Sequence, residues 1–336
     1  MMQAAIYGIE GFSLSDDERA FFRDTEPAGF ILFRRNCENQ DQLLALTDSL
    51  RALCGRDDVP ILIDQEGGRV ARMRPPEWPA FPAAEKFANL YRLAPSSAIE
   101  AVRANARALA LMLRSAGINV NALPLLDVRQ EGASDIIGDR ALGSEPMQVA
   151  ALGRAVLDGM ASAGVVGIVK HMPGHGRALV DSHKELPVVS ASAGELEIDL
   201  EPFERLASAP MGMTAHVVYT VWDAAMPASL SPIVIRDIIR ERIGFDGWLM
   251  SDDLGMEALK GDFGTRAAGV ISAGCDVALH CSGKMDEMVA VAKAVPAMSA
   301  EGHDRLARAM AATRIDLDHL DFAEEIAKRD QLLALA

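Results

Sequence analysis

Eight short apolar runs, most of them followed by a longer amphipathic stretch, constrain this chain more than any other feature. The runs are Ala4–Ile9, Gly29–Phe33, Pro60–Ile63, Ile118–Ala122, Gly164–Val169, Met211–Thr214, Gly247–Met250 and Asp276–Leu279. Runs this short and this apolar read as strands buried on both faces. Between them, stretches such as Gln40–Leu53, Ile99–Ala116, Met147–Ala163, Glu195–Ala207 and Pro232–Arg242 carry the three-to-four-residue apolar spacing of helices. Such alternation requires a parallel sheet, and eight strands predict its closure into a (β/α)8 TIM-type barrel, an α/β fold. No glycine-rich phosphate fingerprint follows the first run, which argues against an open dinucleotide-binding sheet. After Leu279 come Lys284–Ala294, Glu301–Leu317 and Phe322–Leu335, read as the last barrel helix and extra C-terminal helices over about 301–336. With no linker, low-complexity tract or repeat to divide it, the chain is expected to form one catalytic barrel domain over residues 1–336.

A barrel of this type gathers the carboxyl ends of its strands at one mouth. The chain concentrates charge at those positions: Asp64 after Ile63, Asp127 after Leu126, Lys170 after Val169, His216 after Ala215 and Asp252 after Ser251. One such carboxylate could cap a helix, but several charged residues in the same relative place point to a common polar site. The densest cluster is Lys170-His171-Met172-Pro173-Gly174-His175-Gly176, continuing through Asp181-Ser182-His183. Pro173 and the glycines end regular structure and permit a loop. Asp181 and His183 lie two apart on it, close enough for the carboxylate to orient the ring and favour its protonated form. Metal ligation is the other reading of His171, His175, Asp181 and His183, although their spacing fits no helical pair pattern.

Two further segments carry chemistry. In Ser251-Asp252-Asp253-Leu254 the first acid is placed to project into the mouth as an ionised carboxylate, and the second to cap the next segment. In Asp64-Gln65-Glu66-Gly67-Gly68-Arg69-Val70-Ala71-Arg72, Asp64 can accept paired hydrogen bonds from vicinal hydroxyls. Arg140 is another cation after a polar loop; taken alone, Arg69, Arg72 and Arg140 read more often as scaffold ion pairs. Acids, donors and cations around one mouth suit a polyhydroxylated ligand.

Composition narrows the partners. The net charge is −15, from 33 basic and 48 acidic residues, which argues against nucleic acid or an anionic membrane. Cys37, Cys54, Cys275 and Cys281 form no Cys-x-x-Cys pair, a usage that suits a reducing compartment. The first residues lack a basic segment followed by a long apolar core, and no run approaches the ~20 apolar residues of a membrane span. A cytoplasmic location is the expectation.

At these motifs the chain resembles the β-N-acetylglucosaminidases of glycoside hydrolase family 3, the single-domain bacterial type used in cell-wall recycling. The resemblance runs from Ala28 to Cys281 and rests on Asp64 to Val70, Lys170-His171 with Pro173 to Gly176, Asp181-Ser182-His183, Thr214-Ala215-His216, Pro227 to Ser231 and Ser251 to Leu254. It implies Asp252 as nucleophile, His183 as general acid/base with Asp181 orienting the ring, and Asp64, Arg72, Arg140, Lys170 and His171 as the grip on N-acetylglucosamine. It implies a retaining hydrolysis that needs no metal and no organic cofactor. The small-molecule substrate implied is a muropeptide fragment, terminal N-acetylglucosamine β-1,4-linked to 1,6-anhydro-N-acetylmuramic acid with or without peptide. Met172 stands where an aromatic or other apolar residue is often found, and Asp139 replaces the usual Glu before Arg140; both changes are expected to alter sugar packing. The loop from Met172 to Pro187 is expected to swing His183 toward Asp252 when sugar binds. Three rivals remain at this point: an N-acetylglucosaminide phosphorylase, a metal-dependent barrel hydrolase and a non-catalytic sugar-binding protein.

Overall fold

The structure, a computed structural model, describes residues 1–315 and 320–335. Along the chain lie β1 (Gln3–Gly8), α1 (Asp16–Thr25), β2 (Pro27–Leu32), α2 (Gln40–Cys54), β3 (Ile61–Ile63), α3 (Ala84–Leu93), α4 (Pro95–Ser115), β4 (Val120–Asn121), α5 (Pro146–Ala161) and β5 (Val166–Met172). Then come β6 (Val188–Val189), α6 (Ala193–Arg205), β7 (Met211–Thr214), β8 (Val218–Tyr219), a π-helical segment Val234–Arg242, β9 (Trp248–Asp253), α7 (Phe263–Ala273) and β10 (Val277–His280). The chain finishes with α8 (Met285–Ala294), α9 (Ala300–Ala311) and α10 (Phe322–Leu333).

Eight parallel strands close into a barrel in the order β1-β10-β9-β7-β5-β4-β3-β2. Each of the eight apolar runs overlaps one of them. Their side chains fill the interior and its contact with the helices: Ile6, Phe30, Leu62, Val120, Ile168, Leu249 and Val277 are all fully buried. Burying each such side chain is worth about 1.5–3 kcal/mol. The fold is therefore the (β/α)8 barrel that the alternation predicts. Helix α10 folds back onto α4, where Arg107 meets Glu325 at 2.6 Å.

Element ends differ from the sequence expectation in an informative way. β5 does not stop at Val169 but continues through Lys170 and His171 to Met172, with a register irregularity against β7. The apolar run ends where charge begins, yet the backbone stays paired because the mouth supplies partners for those charges. β9 likewise runs on to Asp253. Pro232–Arg242, expected as an α-helix, forms the π-helical segment. α9 ends at Ala311, short of Leu317, which lies outside the described residues. A second, two-stranded sheet of β6 and β8 was not foreseen, since two residues carry no periodicity.

Candidate active site

Three of the five charged strand ends, Asp64, Lys170 and Asp252, meet in one cavity of about 390 Å3 at the mouth of the barrel, while Asp127 and His216 lie outside its lining. Asp64, Arg72, Lys170 and His171 line it, as do Arg140, Asp252 and His183. Asp181 stands just behind, touching His183.

The floor is a chain of ion pairs. Lys170 Nζ lies 3.2 Å from Asp64 Oδ1 and 2.8 Å from Glu66 Oε1. Arg72 Nη2 donates to Asp64 Oδ2 at 3.1 Å. Arg140 grips Glu66 with both Nε and Nη2, each at 2.8 Å. Burial alone would raise the Asp64 carboxyl, but Lys170 and Arg72 overcome it and hold the group well below the usual carboxylate range. Glu66 follows the same logic, with Lys170 and Arg140 outweighing desolvation. Lys170, 2 % exposed, loses by burial but is held charged by the two carboxylates, so its pKa is raised. An isolated ion here would be expensive; the pairing is what makes five buried charges tolerable.

Asp252, the penultimate residue of β9, faces this floor. Desolvation pushes its carboxyl up, while the rings of His171 and His216 pull it further down, leaving it lowered. Asp253 has a different task. Its Oδ1 accepts from the backbone N–H of Gly255 at 3.0 Å and of Cys281 at 3.1 Å, turning the chain and tying β9 to β10. His216 Nε2 contacts the Asp253 carbonyl at 3.0 Å, which requires the proton on Nε2. Its Nδ1 then accepts from the Ser229 hydroxyl at 2.6 Å. Burial lowers the pKa of His216, and the ring braces the Asp253 carbonyl beside Asp252.

His171 is oriented by Asp127, which lies fully buried at the end of the segment after β4. Asp127 accepts from His171 Nδ1 at 2.7 Å, and from the backbone N–H groups of His171 at 3.2 Å and His175 at 2.7 Å. One carboxylate thus fixes both a cavity ring and the start of the following loop. His175 is buried and its pKa falls to about 4, through desolvation first and repulsion from His171 second. Its Nε2 meets Ser182 Oγ at 3.1 Å.

The loop itself leaves β5 through Gly174 and Gly176. A side chain at Gly176 would strike the Val128 carbonyl, its Cβ coming within 1.9 Å, so only glycine allows the loop to pass there. Further on, Asp181 Oδ1 accepts from His183 twice, from the backbone N–H and from ring Nδ1, each at 2.9 Å. Desolvation raises the Asp181 carboxyl, but these bonds and the ring's charge lower it overall. With Nδ1 committed, His183 presents Nε2 to the cavity rim.

The structure corrects two expectations. Met172 does not touch the sugar cavity; it is fully buried and its methyl packs beside Gly212 in the barrel wall. Asp139 does not reach the cavity either. It pairs with Arg69 at 2.8 Å, and Arg69 also donates to the carbonyls of Asp135 and Ile136, stapling the segment after β4 over the mouth. Of the four side chains weighed as metal ligands, His171 and His183 have Nδ1 on Asp127 and Asp181, and His175 has Nε2 on Ser182. Among the described residues no three His, Cys, Asp or Glu side chains come together as a metal site. Sequence reasoning gave no role to Glu66 or Asp127. Glu66 lies two residues beyond Asp64, the spacing that returns an extended chain to the same face, and that signal was available.

Comparison with known proteins agrees with this geometry. Residues 3–313 match the family model described as glycosyl hydrolase family 3 N terminal domain. A β-hexosaminidase of Alkalilimnicola ehrlichii is 40 % identical over 280 residues, 82 % of this chain and 79 % of that protein. One from Bordetella avium is 37 % identical over 279 residues, again 82 % of this chain and 79 % of the relative. The crystal structure of NagZ from Neisseria gonorrhoeae in complex with N-trifluoroacetyl-D-glucosamine superposes with a TM-score of 0.88 at 32 % identity, covering 99 % of this chain and 98 % of the other.

Proposed function

The chain belongs to glycosyl hydrolase family 3, and from that premise we propose that it is a retaining β-N-acetylhexosaminidase acting on terminal N-acetylglucosamine. The observation that carries the reading is the pairing of Asp252 with the Asp181–His183 dyad across one polar cavity. Asp252 attacks the anomeric carbon as protonated His183 transfers the Nε2 proton to the departing glycosidic oxygen. The glycosyl–aspartate ester is then cleaved by water, whose proton passes to the now neutral Nε2 as the Asp252 carboxylate leaves. Throughout, Nδ1 keeps its proton on Asp181, whose charge steadies the imidazolium. Two carboxylates usually share this work; here the second part falls to an imidazole, a group that can serve as acid and then as base.

Asp64, Arg72, Arg140, Lys170 and His171 grip the sugar, and the chemistry requires no cofactor. The resemblance to cell-wall recycling enzymes, and a similar structure holding an N-acylated glucosamine, support peptidoglycan fragments as substrate, N-acetylglucosamine being cleaved from 1,6-anhydro-N-acetylmuramic acid with or without peptide. Four free cysteines are consistent with action in the cytoplasm, and among the described residues no helix is long and apolar enough to cross a membrane. The test is covalent trapping. A fluorinated N-acetylglucosaminide with a good leaving group is expected to leave a sugar on the peptide bearing Asp252, read by mass spectrometry. A sugar on Asp253, or full turnover by an Asp252→Ala variant, would sink the assignment.

A further inference from the structure

We propose that Glu66, to which neither the motif reading nor the family resemblance gives a role, is the positioning residue that presents Arg140 and Lys170 to the sugar. This rests on the functional reading above. Glu66 is 4 % exposed in its side chain and spans two cations at once, Arg140 through Nε and Nη2 and Lys170 through Nζ, all at 2.8 Å. Arg140 has a further anchor, Nη1 donating to the Ile136 carbonyl at 3.0 Å. A guanidinium held through Nε, Nη1 and Nη2 cannot rotate, yet it keeps one N–H on each terminal nitrogen for a ligand. Lys170 spends two of its three protons on Asp64 and Glu66 and keeps the third.

The far side of Glu66 meets an apolar wall that includes Phe87, Val102 and Val156. Asn105 also lines it, but its Oδ1 accepts from Arg329 Nη1 at 3.3 Å, and an amide carries no charge to replace the carboxylate. Without it, Arg140 would be left with a single carbonyl anchor, and the floor would pass from three cations over two carboxylates to three over one. Glu66 touches no reacting atom in the proposed chemistry. Its effect is therefore expected on how firmly the sugar is held rather than on how fast the bond breaks.

The test compares the wild type with Glu66→Gln, Arg140→Met and the double variant, using an aryl β-N-acetylglucosaminide for kinetics and N-acetylglucosamine for calorimetry. Glu66→Gln is expected to raise KM, and Kd for the sugar, about tenfold or more while kcat stays within about threefold, since a charged hydrogen bond is lost at a binding group only. In the Arg140→Met background the same change should cost at most about threefold, because most of what Glu66 holds is already gone. That second comparison also serves if Glu66→Gln alone folds poorly, since removing both partners leaves no unpaired charge between them. A fall in kcat at constant KM, an unchanged KM and Kd, or a full tenfold cost on top of Arg140→Met would each overturn the inference. Wild-type protein that neither binds the sugar nor cleaves the glycoside would overturn the functional reading, and this inference with it.

Discussion

The floor of the cavity and the loop at its rim are built on opposite principles. On the floor, Lys170 and Glu66 are 2 % and 4 % exposed, and every charge is clamped by at least one opposite charge rooted in or beside a barrel strand. At the rim, His183 is 61 % exposed in its side chain, and its recorded partner is Asp181, two residues away on the same loop. The floor is thus preorganised before any ligand arrives, whereas the proposed proton donor is oriented by a neighbour on its own loop. A sugar grip gains from rigidity because the ordering is completed during folding. A group that must approach a leaving oxygen and then admit water gains from mobility.

This contrast can be broken at four points. The largest effect belongs to the residue facing the floor: Asp252→Ala is expected to cut kcat by on the order of 10⁴-fold or more while Kd for N-acetylglucosamine changes little. Comparable losses of binding and turnover would mean that Asp252 holds the sugar instead of attacking it. Next comes the rim. His183→Ala should slow substrates with poor leaving groups by ~10²–10⁴-fold, aryl substrates with good ones far less, and Asp181→Ala should give a weaker version of the same split. Equal slowing of both substrate types would assign His183 to binding.

The third point concerns the joint between the regions. The pKa of His175 is depressed from 6.5 to about 4 in the folded protein, so between those values the unfolded chain takes up a proton that the native state refuses. Stability is therefore expected to fall as pH drops through this window, by on the order of 3 kcal/mol from this residue. His216, also lowered, adds to the same slope. Urea midpoints at pH 7 and pH 4.5 measure it, and His175→Gln should flatten it; an equally steep loss in that variant would place the cause elsewhere. The smallest effect is Ser182→Ala. Removing the hydroxyl that His175 Nε2 meets is worth ~1 kcal/mol and should speed amide exchange across residues 177–187 while kcat falls only a few fold. Unchanged exchange would show that this contact does not hold the loop. In the wild type, N-acetylglucosamine should slow exchange over the same residues, and an unaltered pattern would argue against a loop that closes on the sugar.

How legible each region was in the sequence follows from how its residues are held. Asp64, Lys170 and Asp252 stood out because each ends an apolar run, and the barrel's topology makes every such end a part of one mouth. Asp181 and His183 were legible as a pair because their contact spans two residues. Glu66 was quoted within its segment without a task, and Asp127 was read only as a strand-end charge, because their partners are distant in the chain: Arg140 lies 74 positions from Glu66, and His171 44 from Asp127. Only the closed barrel brings those pairs together. Met172 misled for a related reason. Strict alternation would put Met172 on the face of Lys170, but Lys170 and His171 both line the cavity and the register against β7 shifts between Val169 and Met172, so its face could not be read from its neighbours.

Tyr219 sends its hydroxyl to the Gly174 carbonyl at 2.6 Å, while its backbone in β8 is paired with Val189 in β6. The segment carrying His183 therefore departs from and returns to a single residue. One side chain thus fixes where the loop begins, and its own backbone fixes where the loop ends. A change at Tyr219, which is buried and outside the cavity lining, would loosen both ends of that loop together.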